Sequence, residues 1–311
     1  MRVELAHITD VHLPTPFVHP HELLGKRVLG WLSWRLRRRR AHRPQALREL
    51  MADVERFREE TRAPLLITGD LVNIATRGEF VAARCWLRKA GIPETVMFVP
   101  GNHDFYVRGA VKAGLAWLTP WMTGARGTEE AEGLPPFPLV RHVRNVALIG
   151  LNSAYPAPWR EASGRLDEEQ LNRLENVLRD CAAKGFCRVV LIHHPPLEEL
   201  GADKPRKALK NAVALEKILT RAGAELVLFG HTHQWAHVKR ELPGGRMMHV
   251  LSAPSASMTT GRGTPPAGWQ RISIARQRGQ WHIRVERREL SEQGGMRVRE
   301  TLSLSSLARD I

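Results

Sequence analysis

The chain has 311 residues, enough to bury a full hydrophobic core in one large domain. Its apolar fraction of 43% is ordinary for a globular protein and excludes a disordered or fibrous chain. Lysine and arginine number 47 against 32 aspartates and glutamates, which gives a net charge of +15. This excess predicts affinity for phosphorylated substrates, nucleic acid or an anionic membrane; the simpler alternative is arginine spread over solvated helix faces.

The amino-terminal and cysteine patterns bear on where the protein acts. No apolar stretch is long enough to cross a membrane, and residues 1–8 are too short and too charged to form a signal peptide. Three cysteines without metal-like spacing are typical of reduced thiols. We therefore expect a cytoplasmic protein, and the basic insertion described below leads us to expect that it is peripheral on the inner face of the membrane.

Short apolar runs alternate with helical patterns along the first 230 residues. The predicted strands are 2–9, 64–68, 95–99, 146–151, 188–192 and 225–229, and the predicted helices are 45–60, 79–89, 168–183 and 207–222. Runs that are apolar throughout are typical of strands buried on both faces. The alternation predicts a layered α/β domain whose ligand site lies at the carboxyl ends of the strands.

The pattern changes after residue 246, where strands 247–251, 270–275 and 281–287 are predicted to pair in antiparallel fashion. Two segments interrupt the alternation: a basic, tryptophan-containing insertion at residues 11–44 and variable cap loops at residues 105–140. Residues 294–311 are predicted to be a polar, loosely held tail. We therefore expect one domain over residues 1–293 that carries the insertion as a lid.

Side chains that typically bind metal ions follow five of the predicted strands. The motifs are Asp10-Val11-His12, Gly69-Asp70, Gly101-Asn102-His103-Asp104, His193-His194 and Gly230-His231-Thr232-His233. Carboxylate and imidazole ligands without thiolates favour a divalent ion such as manganese, iron or zinc over a structural zinc site. Any one motif alone is as consistent with a hydrogen-bonded turn as with a metal site, but five motifs at strand ends predict a shared metal centre.

Together these motifs resemble those of the calcineurin-like metallophosphoesterase superfamily, and with the flanking strands the resemblance extends to about residue 290. It implies a four-layer αββα sandwich of two mixed β-sheets that binds two divalent metal ions, with manganese favoured. The ligands that it implies are Asp10, His12 and His233 for one metal, Asn102, His193 and His231 for the other, and Asp70 as the bridge.

The resemblance also implies a mechanism. Two metal ions about 3.5–4 Å apart can hold a bridging hydroxide and clamp an in-line displacement at phosphorus. His103 resembles the catalytic histidine of the family, which stabilises developing charge or protonates the leaving oxygen, and Asp104 would orient it. His194 is expected to pack outside the ligand shell. No signature of a serine or cysteine nucleophile is present.

The insertion mixes leucine and tryptophan with a dense run of basic residues, which suits an anionic membrane interface. The alternative is a lid whose apolar side chains pack on the core, and the two are compatible. The residues predicted to contact substrate or membrane are Arg27, Trp31, Trp34, Arg37, Arg38, Arg39 and Arg40.

A basic, hydrophobic lid beside a dinuclear site resembles the chlamydial-type UDP-2,3-diacylglucosamine pyrophosphatases, which implies a lipid-linked nucleotide substrate and a role in lipid A biosynthesis. Class III cyclic nucleotide phosphodiesterases share the Gly-Asn-His-Asp and His-His-Pro-Pro motifs and are the main alternative. A nuclease would explain the charge, but no nucleic-acid-binding module is recognisable. A non-catalytic scaffold would have no reason to retain the complete ligand set.

Overall fold

The structure is a computed structural model that describes residues 2–125, 133–259 and 264–307. The side chain of Arg37, one of the predicted lid residues, lies outside the described part. The strands are β1 Arg2–Ile8, β2 Leu65–Thr68, β3 Val96–Val99, β4 Leu139–Val143, β5 Val146–Gly150, β6 Cys187–Leu191, β7 Leu226–Phe229, β8 Ala236–Leu242, β9 Arg246–Ser252, β10 Gly268–Gln277, β11 Gln280–Leu290 and β12 Met296–Leu307. The α-helices are α1 Lys26–Ser33, α2 Arg39–Ala41, α3 Pro44–Thr61, α4 Arg77–Ala90, α5 Ala110–Ala113, α6 Thr119–Thr123, α7 Glu168–Ala183 and α8 Ala212–Ala222.

Two mixed six-stranded sheets form the centre of the domain, in the orders β12-β11-β10-β1-β2-β3 and β4-β5-β6-β7-β9-β8. Every residue of β2, β3, β6 and β7 is buried, which explains why these strands are apolar throughout. In the first sheet β1, β2 and β3 run parallel, and in the second β5, β6, β7 and β9 do so. Their carboxyl ends therefore lie at one edge of each sheet.

Helices cover the outer faces of both sheets. The apolar face of α3, with Leu50, Val54 and Phe57, shares one core with the first sheet, and the Phe57 and Trp269 rings lie 5.6 Å apart. On the other side, α7 and α8 pack against the second sheet around a separate core. Helix α4 begins with a capping box in which Thr76 and Glu79 satisfy each other's backbone amides. The predicted four-layer αββα sandwich is confirmed.

Three features differ from the prediction. The predicted polar tail is wrong, because residues 296–307 form β12, which pairs with β11 along its whole length and buries Leu304 and Ser306. Strands β4 and β8 were not predicted; both lie at sheet edges, where many of their residues are only partly buried. The last predicted helix begins at Ala212 rather than at residue 207, after a 3₁₀ turn over Pro205–Lys207.

The insertion at residues 11–44 is largely helical. A 3₁₀ turn at Pro20–Glu22 precedes α1, and a π-helical segment, Trp34–Arg38, joins α1 to α2. Arg27 donates to the carbonyls of Ile74 and Ala75, and Trp34 is 6% exposed. Arg27 and Trp34 therefore fasten the insertion to the body of the domain. Trp34 also lines a surface cavity with Trp31, Arg35 and Arg39, and its contact with substrate or membrane stays a prediction, as does that of Arg27. Within the described residues no helix is long and apolar enough to cross a membrane.

Candidate metal centre

The structure brings the seven predicted ligands together at the facing edges of the two sheets. Asp10, Asp70 and Asn102 follow β1, β2 and β3, whereas His193 follows β6 and His231 follows β7. The ligand atoms approach closely: His233 Nε2 lies 3.0 Å from an Asp10 carboxylate oxygen. His193 Nε2 lies 3.1 Å from Asn102 Oδ1 and 3.2 Å from His231 Nδ1.

Asp70 lies between the two groups of ligands. Its Oδ2 is 3.9 Å from His12 Nε2 on one side and 3.3 Å from His193 Nε2 on the other. Its Oδ1 accepts a hydrogen bond from the backbone N–H of His103 at 2.8 Å, which fixes the orientation of the carboxylate. This position is the one required of a residue that bridges two metal ions.

The backbone at the ligands adopts a left-handed conformation, which is uncommon for residues other than glycine. The residues concerned are Asp10, His12, Asp70, His231 and His233, with φ between 44° and 68°. Such conformations cost about 1–3 kcal/mol each and cluster at functional sites. The fold therefore accepts backbone strain at the positions that turn side chains toward this centre.

The glycines beside the ligands allow close approach of neighbouring strands. A Cβ at Gly101 would lie 2.2 Å from an Asp70 carboxylate oxygen, and one at Gly230 would lie 1.8 Å from Thr9 Oγ1. Of the three glycines that precede Asp70, Asn102 and His231 in the sequence, only Gly69 has a positive φ, of 93°. Lack of space, more than turn geometry, explains why glycine is required at the other two positions.

Hydrogen bonds outside the centre orient the ligands. His193 Nδ1 donates to the carbonyl of Thr68 at 2.7 Å, so its Nε2 is directed into the centre. Asp10 Oδ2 accepts from the Thr9 hydroxyl and from the backbone N–H of His231, at 2.7 and 2.8 Å. Partners of this kind fix the tautomer of a ligating histidine and hold a carboxylate in one orientation.

The electrostatics of the centre suit cation binding. Burial would raise the pKa of Asp10, but the charges of His233 and His193 hold that pKa below its ordinary value. Burial, aided by neighbouring cationic groups, lowers the pKa of His12 and of His231 well below the ordinary value, so both are neutral ligands at pH 7. Burial opposes the charged form of His193 as well, yet Asp70 raises its pKa to about 9.

The donor set fits a pair of divalent ions. The ring nitrogens that face the buried carboxylates are His12 Nε2, 3.9 Å from an oxygen of Asp10 and of Asp70, and His193 Nε2, 3.3 Å from Asp70. Among the described residues, four groups of three candidate ligand atoms each lie within 4.8 Å of one another, including Asp10 with His12 and His233, and Asp10 with Asp70 and His193. Paired buried carboxylates need a compensating cation, and nitrogen and oxygen donors suit manganese, iron or zinc.

His103 lies beside the centre with its imidazole held from two sides. Its Nδ1 donates to the carbonyl of Asn73, and the Tyr106 ring stacks on it at 5.7 Å. Its Nε2 therefore faces the centre. Burial and then the Arg38 charge lower the pKa of His103 to about 3.

The prediction that Asp104 orients His103 is wrong. The Asp104 carboxylate turns away from the imidazole because it is surrounded by backbone donors from two neighbouring turns. It accepts from the N–H groups of Asp70, Leu71, Val72 and Gly101, at 2.8 to 3.2 Å. Asp104 therefore fixes the turn that carries Asp70 against the turn that carries Asn102.

His194 is in contact with the centre, but both of its ring nitrogens are already engaged. Nδ1 lies 2.8 Å from the Ser153 hydroxyl, and Nε2 lies 3.2 Å from the carbonyl of Ala162. The ring packs against His231 with centroids 4.7 Å apart. These contacts place His194 behind His231, as a support for that ligand.

The structure separates the arginines that the sequence analysis grouped together. Arg38 points inward, and its guanidinium donates to His103 Nε2 at 2.7 Å and to His12 Nε2 at 3.2 Å. Arg39 and Arg40 are exposed. Trp31 is partly buried and carries the Arg35 guanidinium 5.2 Å above its ring. One arginine of the insertion thus belongs to the centre, and its neighbours belong to the surface.

His42 was missed by the sequence analysis. It is buried, its ring centroid lies 4.6 Å from that of His12, and its Nδ1 contacts the Ser257 hydroxyl at 2.9 Å. Trp34 stacks on its other side. A lone histidine after an arginine run carries no signal in the sequence, since only the return of the insertion to the core brings it here.

Comparison with known proteins agrees with this geometry. The family model for calcineurin-like phosphoesterases matches residues 3–235, and the chain belongs to this family. A 3',5'-cyclic-nucleotide phosphodiesterase of Nostoc sp. PCC 7120, alr5338, is 26% identical over 254 residues, which cover 81% of this chain and 78% of that protein. The chain is therefore a hydrolase that acts on phosphoester bonds, and the superfamily predicted from the motifs is confirmed.

Two solved structures share the fold. A dimetal phosphatase of Danio rerio superposes with a TM-score of 0.59 at 15% identity, covering 99% of both chains. The NAD nucleotidase of Haemophilus influenzae superposes with a TM-score of 0.51 at 12% identity, covering 99% of this chain and 50% of that one. At these identities the likeness is one of architecture.

Proposed function

We propose that this hydrolase cleaves a phosphodiester or pyrophosphate bond in a lipid-linked nucleotide, such as UDP-2,3-diacylglucosamine, at an anionic membrane surface. The proposal rests on one feature, the insertion, which carries exposed apolar side chains and also reaches the centre through Arg38. We further propose a cytoplasmic protein, peripheral on the inner face of the membrane, with a role in lipid A biosynthesis.

The surface of the insertion supports membrane contact. Helix α1 buries none of its residues. The exposed apolar side chains of the segment are Phe17, Leu24, Val28, Leu29, Leu32 and Leu36, of which Phe17 is 79% and Leu24 72% exposed. Arg35, Arg39 and Arg40 are exposed in the same segment. Apolar patches rimmed by polar residues mark interaction sites, and each basic residue near an anionic bilayer contributes about 1 kcal/mol.

The chemistry that we propose needs two divalent metal ions, and manganese is the metal that we favour. When bound, they would supply a hydroxide nucleophile and neutralise charge on the phosphoryl oxygens. Arg38 presents a planar fork of N–H donors, the geometry that matches phosphate oxygens. His103 Nε2 accepts a hydrogen bond from one of those N–H groups, which holds the guanidinium at the centre. The chain's own residues thereby position the phosphoryl group and stabilise its developing charge.

A paired variant tests the membrane part of the proposal. Leu29→Glu with Leu32→Glu places two charges on the exposed face of α1, whereas Val213→Glu places one on the exposed face of α8 as a control. We expect the double variant to lose sedimentation with anionic liposomes and activity on UDP-2,3-diacylglucosamine in those liposomes, while hydrolysis of bis-p-nitrophenyl phosphate is unchanged. Unaltered liposome binding in the double variant would contradict membrane contact through the insertion.

A soluble 3',5'-cyclic nucleotide phosphodiesterase is the second candidate, favoured by the relative from Nostoc. The two candidates differ in which substrate the metal-reconstituted protein turns over. UDP-2,3-diacylglucosamine, cyclic AMP and bis-p-nitrophenyl phosphate are compared at equal concentration. A kcat/KM for cyclic AMP above that for the lipid-linked nucleotide would support the second candidate and contradict the first.

A further inference from the structure

A cavity of about 220 Å³ opens beside the metal centre, between the end of β7 and the segment that precedes α8. We call it the lysine cavity, because Lys204 and Lys207 line it and both are exposed. Its apolar part includes the buried ring of Phe229. His231 lines the cavity and also belongs to the metal centre, so the two spaces share this residue.

Two residues that line this cavity each carry a polar atom that has no hydrogen-bond partner among the described residues. The Thr232 hydroxyl is buried and has no hydrogen-bond partner among the described residues, and the same is true of His231 Nε2. His231 faces the centre with Nδ1, which lies 3.2 Å from His193 Nε2, so a metal ion held there leaves both Nε2 and the Thr232 hydroxyl without a partner. Buried polar atoms are normally paired, and a ligand in the cavity that reaches either atom would supply a partner.

Positive charge predominates at the cavity. Lys204 and Lys207 outnumber the single lining carboxylate, Asp203. Lys207 is exposed as a residue, but desolvation of its ammonium group, followed by the charges of Arg38 and Lys204, lowers its pKa, while the carboxylates of the centre act in the opposite direction. The Lys207 ammonium is therefore within electrostatic reach of both the centre and the inward arginine. An anion in the cavity would be attracted both by the two lysines and by Arg38.

We infer that the lysine cavity binds a second phosphate group of the substrate, adjacent to the phosphorus that is attacked at the metal centre. This inference rests on the proposed function and narrows it to substrates with a diphosphate linkage. At about 30 Å³ for each water molecule, the cavity holds about seven waters, which is room for a phosphate and part of the sugar attached to it.

The reaction on such a substrate is a hydrolysis of the P–O–P linkage. Hydroxide oxygen forms a bond to the phosphorus at the centre, the bond from that phosphorus to the bridging oxygen breaks, and the bridging oxygen leaves on the second phosphate. The remaining proton of the water ends on one of the two phosphomonoesters, and nothing is oxidised or reduced. A 3',5'-cyclic phosphodiester contains no second phosphate, so it would leave the lysines without a partner.

Binding of the phosphomonoester products tests the inference without turnover. UMP and N-acetylglucosamine 1-phosphate, a soluble analogue of the diacylated sugar-phosphate product, are titrated calorimetrically into the metal-loaded protein, because the inference leaves open which of the two phosphomonoesters occupies the cavity. The variants are Lys204→Gln with Lys207→Gln, and Lys217→Gln as a matched exposed lysine on α8. Charge-assisted hydrogen bonds contribute about 1.5–3 kcal/mol, so we expect the double variant to bind one product at least about tenfold more weakly. The control variant should bind both products as the unmodified protein does.

The same proteins are assayed on UDP-2,3-diacylglucosamine and on bis-p-nitrophenyl phosphate. We expect the double variant to have a higher KM for UDP-2,3-diacylglucosamine than the unmodified protein and an unchanged KM for bis-p-nitrophenyl phosphate. If the double variant binds both products as tightly as the unmodified protein does, the lysine cavity does not bind the second phosphate. This conclusion would hold even if the diphosphate is hydrolysed. Failure of the unmodified protein to hydrolyse the diphosphate would overturn the proposed function instead, whatever the product affinities are.

Discussion

Replacing Arg38 with methionine tests whether the insertion takes part in the chemistry. Methionine keeps much of the aliphatic side chain and removes the guanidinium, which donates to His103 at 2.7 Å and to His12 at 3.2 Å. Removing one preorganised donor from an active site typically lowers kcat by about 10²–10³, equivalent to about 2.7–4 kcal/mol. We therefore expect kcat for bis-p-nitrophenyl phosphate to fall about 100-fold, while the metal content of the purified protein is unchanged.

Arg39→Met is the matched control for this experiment. It removes the same charge from the next position, but Arg39 is exposed. We expect its kcat to stay within about twofold and its affinity for anionic liposomes to fall about fivefold, the effect of losing roughly 1 kcal/mol at the membrane surface. A full kcat in Arg38→Met, or an equal loss in both variants, would refute the role assigned to Arg38.

Two substitutions test the packing of the fold, one at the amino ends of β6 and β7 and one at the metal centre. Glu225→Gln removes the charge that pairs with Arg188, and since both side chains are buried we expect urea denaturation to show a loss of about 3–5 kcal/mol. Gly101→Ala places a methyl group 2.2 Å from an Asp70 oxygen, whereas the methyl group of Gly109→Ala has no atom of the described residues within 4 Å. We expect elemental analysis to show metal loss in Gly101→Ala alone; two bound metals in that variant would contradict the close packing inferred at Asp70.

Much of the sandwich could be predicted because its central strands are buried on both faces. A strand such as β2 or β6 must be apolar at every position, and that pattern is visible in one sequence. The edge strands β8 and β12 lack this constraint. Met296–Leu307 alternates leucine with serine and charged residues, so its polarity resembled that of a tail, and only its pairing with β11 identifies it as a strand.

The candidate ligands could be predicted because each follows a strand whose carboxyl end lies at the same edge. The contacts of the residues beside the ligands could not be predicted, because those contacts depend on how turns that are distant in the sequence pack together. Asp104 follows His103 directly, but the nearest donors are backbone amides around Asp70. Arg38 lies at the end of a π-helical segment, and a helical projection at 3.6 residues per turn does not locate a side chain correctly across such a segment.

We predict that this family member carries a two-metal site bridged by Asp70, with His103 acting beside it. Metal content by mass spectrometry, measured together with turnover of bis-p-nitrophenyl phosphate, tests it in the unmodified protein, Asp70→Ala and His103→Ala. We expect two metals in the unmodified protein, loss of both metal and turnover in Asp70→Ala, and loss of turnover with two metals retained in His103→Ala. Equal metal loss in the two variants, or full metal content in Asp70→Ala, would contradict it.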